Sequence, residues 1–175
     1  MRRVFLVVVL LVSFVGLSAT PAAAPTWCPT VMTDYPVRFS ALANGQYVSA
    51  EISRTGNGYG QLRARTNPND QGPWEVFRLV CVQGPDVYAI RSEANGRYVT
   101  AEISWTGSSN GLLRARATSV GPWEKFRIPN SALPTIYSLA NNRYVTTEIN
   151  WTGSGYGSLR ARATVVGDWE YYVLW

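Results

Sequence analysis

Histidine is absent from the chain, lysine occurs once (Lys125), and cysteine occurs twice, at Cys28 and Cys81. Without histidine, a Ser-His-Asp or Cys-His arrangement is impossible, and a zinc site loses its commonest ligand. With arginine supplying nearly all the positive charge and no long basic run, the sequence does not carry the footprint of a nucleic-acid-binding protein. Long apolar runs are missing too, except at the start. There Arg2 and Arg3 precede "VFLVVVLLVSFVGL", and "ATPAAAP" follows. That order of basic, apolar and small residues reads as a secretory signal peptide ending near Ala24, not as a membrane span.

Removing residues 1–24 takes away two arginines and no acid, so the formal charge falls from +5 to +3. Residues 25–175 suffice for one domain with its own core. Residues 25–36 read as an N-terminal tail. In an oxidising compartment Cys28 and Cys81 are expected to form a disulfide that pins this tail to the first repeat. The cysteine in "APTWC" lacks the context of a lipid-attachment box.

What the chain has in abundance is itself. "AEISRTGNGYGQLRAR" from Ala50, "AEISWTGSSNGLLRAR" from Ala101 and "TEINWTGSGYGSLRAR" from Thr147 are one phrase written three times. Each follows a tyrosine (Tyr47, Tyr98, Tyr144) and leads to a second landmark, "GPWEVF", "GPWEKF" or "GDWEYY". The tyrosines are 51 and 46 residues apart, too long for most solenoid repeats. Inside each copy the period is two. Val48, Ala50 and Ile52 share one face, with Tyr47, Ser49 and Glu51 on the other; Leu62 and Ala64 oppose Arg63 and Arg65. Glycine-rich turns make each pair of strands a hairpin. A strand before it ("VRFSAL", "VYAIRS", "IYSLA") and one after it ("EVFRLV", "EKFRIP", "EYYVLW") complete four per repeat.

Three repeats, at about 37–82, 87–129 and 135–175, thus predict twelve strands. The expected fold is all-β: a β-trefoil of residues 37–175, closed with pseudo-threefold symmetry so that strand edges are protected.

The pattern ANGxYVxAE, then GxLRAR, then GPWExF resembles the fascin-type β-trefoil repeat. More closely it resembles secreted microbial β-trefoil carbohydrate-binding modules, including a group that binds β-1,3- and β-1,6-linked glucans. The resemblance covers about residues 37–175 and implies a non-catalytic module, often appended to glycoside hydrolases. The chain departs from the glucan-binding pattern in its longer, tryptophan-bearing turn after the glutamate.

Candidate chemistry lies on the polar face of each hairpin. Glu51, Glu102 and Glu148 stand beside the arginine pairs Arg63 and Arg65, Arg114 and Arg116, Arg160 and Arg162. A cross-strand ion pair on a solvated face explains these residues structurally. A sugar site explains them as carboxylate acceptors and guanidinium donors beside an aromatic face, supplied by Trp105 and Trp151 at the hairpin tips. The alternative is that those tryptophans fold back as lids on the barrel mouth; their recurrence in identical context in two copies favours stacking on a ligand. Repeat one has Arg54 instead, which marks its site as weakened or retuned. Trp74, Trp123 and Trp169 read as core packing, although the resemblance would place them at a pocket border. Glycosidase chemistry needs two carboxylates about 5–10 Å apart, and threefold-related acids lie on different lobes.

The expectation is therefore a monomer that binds polysaccharide or oligosaccharide at up to three sites, with no catalysis, cofactor, metal, membrane or nucleic-acid partner. The alternatives are a fascin-like domain that binds protein filaments and a secreted enzyme inhibitor. For the latter, the insertion "NPNDQGP" in repeat one is the asymmetric candidate loop.

Overall fold

A computed structural model describes residues 36–84 and 86–175. The expected signal peptide, tail, Trp27 and Cys28 lie outside the described residues. So does one half of the expected disulfide; Cys81 itself is partly buried against the core.

Twelve strands are formed among the described residues, four per repeat. They are β1 (Phe39–Ala41), β2 (Tyr47–Glu51), β3 (Gln61–Thr66) and β4 (Phe77–Gln83) in the first repeat. The second holds β5 (Val87–Ser92), β6 (Tyr98–Ala101), β7 (Leu113–Ala117) and β8 (Phe126–Arg127). The third holds β9 (Tyr137–Ser138), β10 (Arg143–Glu148), β11 (Ser158–Ala163) and β12 (Tyr172–Leu174). The only helices among the described residues are three-residue 3-10 turns, such as Gly56–Gly58 and Pro73–Glu75.

β2–β3, β6–β7 and β10–β11 are antiparallel hairpins, and each carries the same register shift just after its tyrosine, at Tyr47/Val48, Tyr98/Val99 and Tyr144/Val145. β4 pairs β5, β8 pairs β9, and β12 pairs β1 with Phe39 opposite Leu174. That last pairing closes the sheet, so the ends of the chain's fold meet and no repeat is left with a free edge. The chain is a β-trefoil, as its repeats predict.

The inward residues of the period-two pattern build the core. Val48, Val99 and Val145 form one threefold set and Leu62, Leu113 and Leu159 another, all at most 2 % exposed. Phe77, Phe126 and Tyr172 form the third. Each such side chain stabilises the fold by about 1.5–3 kcal/mol through burial. Where the third repeat places a tyrosine for phenylalanine, it also places Thr147 for alanine. The Thr147 hydroxyl donates to the Tyr172 hydroxyl at 3.2 Å, which in turn donates to the Val145 carbonyl at 3.2 Å. The buried phenol is thus satisfied, and burial holds its pKa well above the ordinary value.

The opposite face corrects the sequence reading. By their alternation Ser49, Glu51, Thr100, Glu102, Thr146 and Glu148 should face solvent, yet all are 3 % exposed or less. Two elements cover them. One is the turn that carries Glu75, Glu124 or Glu170; the other is the hairpin tip of a neighbouring repeat.

Candidate functional site

Each predicted Glu–Arg set is a cluster at the repeat junctions. Glu102 receives Nε and Nη2 of Arg116 in a bidentate fork, with Nη2 3.0 Å from Oε2, and Arg114 Nη1 lies 3.4 Å from Oε1. Glu51 is held likewise by Arg65 and Arg63, and Glu148 by Arg162 and Arg160. The first arginine of each pair also crosses to another repeat. Arg63 donates to the carbonyls of Tyr156 and Gly153, Arg114 to those of Tyr59 and Gly56, and Arg160 to those of Asn110 and Gly107. These bonds run in one sense around the axis and tie the three tips into a ring.

Desolvation lowers the pKa of Arg63 and Arg114, and their glutamates oppose that effect. Arg116 is raised, first by its hydrogen bond to Glu102. All remain guanidinium ions at neutral pH. The glutamates, Arg63 and Arg114 are therefore buried positioning residues, while Arg160 keeps 18 % of its side chain exposed. What reaches solvent is the second arginine: the side chains of Arg65, Arg116 and Arg162 are 38 %, 39 % and 39 % exposed.

At the tips, Trp105 and Trp151 are half-buried. Arg114 stacks 5.1 Å from the Trp105 ring centre and Arg160 5.8 Å from that of Trp151. One face of each indole is thereby occupied by a cation, a contact of about 0.5–2 kcal/mol. Trp105 still borders a shallow cavity of about 300 Å³ with Asn57, Ser104, Thr106 and Ser109. In repeat one Arg54 replaces the stack with polar contacts: Nη1 donates to Gln61 at 3.1 Å and Nη2 to the Ser154 carbonyl at 3.4 Å. Gln61 then donates to Ser158 at 2.8 Å. Arg54 thus joins the first tip to the third by polar contacts, at the position where the other repeats place an indole.

Two further concavities lie away from the tips. A groove of about 320 Å³ in repeat one is lined by Arg65, Thr66, Asn67, Asp70, Gly72, Pro73, Trp74 and Glu75. Its counterpart in repeat two, about 460 Å³, is lined by Arg116, Ala117, Thr118, Ser119, Gly121, Pro122, Trp123 and Glu124. Trp74 is 37 % exposed and Trp123 half-buried, so neither is the core residue its setting suggests.

The glutamate after each indole shapes the turn. Glu75 Oε2 accepts the Gly72 N–H at 2.8 Å and Oε1 the Thr66 hydroxyl at 2.9 Å. Glu124 does the same with Gly121 and Thr100, and Glu170 with Gly167 and Thr146. With its carboxylate satisfied inward, this turn projects the tryptophan outward beside the exposed arginine. The sequence signal for this is the recurring proline or aspartate before the tryptophan, which starts a tight turn at the surface. All six repeated glutamates are buried and committed. Among the described residues, no group of three or more metal-ligating side chains occurs.

The fold and these junction clusters define a β-trefoil built from three near-equivalent lobes. No family model and no curated protein matches the chain. Among solved structures it is similar to the designed threefold-symmetric protein ThreeFoil, with a TM-score of 0.64 and 16 % identity over 79 % of this chain and 96 % of that one. It is also similar to the BEL β-trefoil, with a TM-score of 0.61 and 18 % identity over 81 % and 92 %. A third is the Polyporus squamosus lectin, solved bound to the epitope Neu5Aca2-6Galb1-4GlcNAc. Its TM-score is 0.64 at 10 % identity, over 79 % of this chain and 48 % of that one. At these identities the likeness is one of fold.

Proposed function

We propose that the protein is a secreted, non-catalytic carbohydrate-binding module that holds polysaccharide in the grooves beside Trp74 and Trp123. One observation carries this reading. Twice, at equivalent positions, an indole that is exposed at Trp74 and half-buried at Trp123 shares a groove with a guanidinium whose far edge is fixed by a buried carboxylate. A sugar ring offers axial C–H groups to an aromatic face and paired hydroxyls to a planar donor, and this arrangement supplies both. Because each arginine is already paired to glutamate, the groove suits neutral hydroxyls. The lectin among the similar folds and the resemblance to β-glucan-binding modules support the same ligand class, with β-glucan the first polymer to test. Repeat three presents Arg162 and Trp169 in the same order, with Asp168 in place of proline.

The test is co-sedimentation with insoluble β-1,3-glucan, cellulose, chitin, xylan and galactan at low and high salt. The expected result is salt-resistant retention on β-glucan, lost in Trp74→Ala/Trp123→Ala and kept in Trp105→Ala/Trp151→Ala. Retention on no polymer overturns the reading. Loss only in the tip variant moves the site to Trp105 and Trp151. Binding to an acidic protein surface that falls steeply with salt would instead mark the fascin-like alternative.

A further inference from the structure

We propose that the cavity between the second and third repeats is a separate binding site for a small aromatic carboxylate. It encloses about 260 Å³ and is walled by Arg127, Pro129, Thr135, Tyr137 and Tyr144. That is just under the roughly 300 Å³ at which drug-sized sites begin, so it suits a single ring system. The Tyr137 and Tyr144 rings meet edge to face, 4.8 Å apart at 68°. An aromatic guest packed against this pair would find both a π face and a ring edge.

Symmetry shows what such a place accepts. Tyr137 pairs with Arg127 where, one junction on, Ser40 pairs with Val173. By that register Trp175 corresponds to Pro129, and Tyr47 to Tyr144. At that junction the protein's own indole lies over the position while remaining 66 % exposed: Trp175 is 6.5 Å from the Tyr47 ring, and its Nε1 donates to the Ser40 hydroxyl at 3.2 Å. Proline at position 129 leaves the corresponding space as a cavity.

The charge follows from a second substitution. Arg78, the counterpart of Arg127, is paired to Glu93 at 3.0 Å. The residue corresponding to Glu93 in repeat three is Leu139; the backbone bonds of the two agree, Glu93 to Val76 and Leu139 to Lys125. Arg127 is exposed and forms no ion pair among the described residues. An aromatic pocket thus has in its wall an arginine whose counterpart's acid is here replaced by leucine. A ligand carboxylate would restore the missing pair as a bidentate, charge-assisted bond.

The probe is indole-3-acetate, titrated calorimetrically against the protein with indole-3-acetamide as its neutral isostere. Saturable one-to-one binding is expected for the acid and about tenfold weaker binding for the amide. Arg127→Gln should weaken the acid by a similar factor. Leu139→Glu should do so too, by giving Arg127 an internal partner, and Trp74→Ala/Trp123→Ala should leave binding unchanged. Near-UV circular dichroism establishes that each variant is folded. No saturable binding, equal binding of acid and amide, or indifference to both Arg127→Gln and Leu139→Glu overturns the proposal.

Discussion

Glu102 is 1 % exposed and has two guanidinium groups on its two oxygens, one of them also tied to the neighbouring repeat's turn. Replacing it with glutamine keeps the shape and removes the charge, leaving Arg114 desolvated without a counter-ion. Breaking a buried pair from one side costs about 3–5 kcal/mol. Glu102→Gln is therefore expected to lower the unfolding free energy by about 3 kcal/mol in urea titrations, with the m-value unchanged. Glu93→Gln, at the more exposed pair with Arg78, should cost less than about 1 kcal/mol. Equal losses would mean that the junction clusters are not the supports their geometry makes them. The alternation of Glu102 with Val99 and Ala101 correctly puts the acid and the valine on opposite faces. Burial is not legible there, because what covers Glu102 comes from Thr100 and Glu124 on one side and, on the other, from Arg114 tied to turn residues of another repeat, 55 and 58 positions from that arginine. Trp74 and Trp123 escape a sequence reading for the same reason. An aromatic three residues before another looks like core until the inward-turned glutamate is seen to aim it out.

Hairpins, by contrast, can be read strand by strand, since a period of two bounded by glycine is a local signal. What that signal omits is the different task of each glycine in the turn. Gly60, Gly111 and Gly157 have φ of 72°, 81° and 73° and dock on the strand of the next lobe. A Cβ on Gly111 would sit 2.4 Å from the Ala161 carbonyl oxygen, where the two backbones also bond through Ala161 N–H to the Gly111 carbonyl at 2.8 Å. Gly107, in the same turn, has φ of 61°, but a Cβ there would meet nothing within 4 Å. Gly107→Ala carries only the left-handed backbone cost of about 1 kcal/mol. Gly111→Ala adds a clash that the rigid neighbouring strand cannot absorb, and should cost about 3 kcal/mol or more. Thermal melts of the two variants measure the difference, and matching losses would show that the tips are not docked as described. No local pattern distinguishes the two glycines, because only the order of lobes around the axis decides which one meets backbone.

At the scale of the whole molecule, closure through β12 and β1 makes three lobes one rigid body, and the arginine ring keeps their tips in fixed relation. Rigidity matters for a binder of repetitive polymers. Two grooves on one body share a single loss of translational freedom, so a long chain that spans both can bind roughly 10²–10⁴ times more tightly than either groove alone. Lobe equivalence is visible in the repeated phrase, but not which surface of the lobe is concave, since the grooves join the exposed arginine of the hairpin to the tryptophan turn further along the chain. The grooves are also unequal: the repeat-one insertion contributes Asn67 and Asp70, two polar walls that repeat two fills with Thr118 and Ser119. On the function proposed above, Trp74→Ala should thus remove one class of oligosaccharide site while leaving the affinity of the other unchanged. On a long glucan the same change should weaken binding by more than about tenfold, because the loss is one of avidity. Calorimetry with a short oligosaccharide beside depletion binding on the polymer separates the two effects. Equal factors in both assays would mean that the grooves act one at a time, and that threefold repetition serves only to close the barrel.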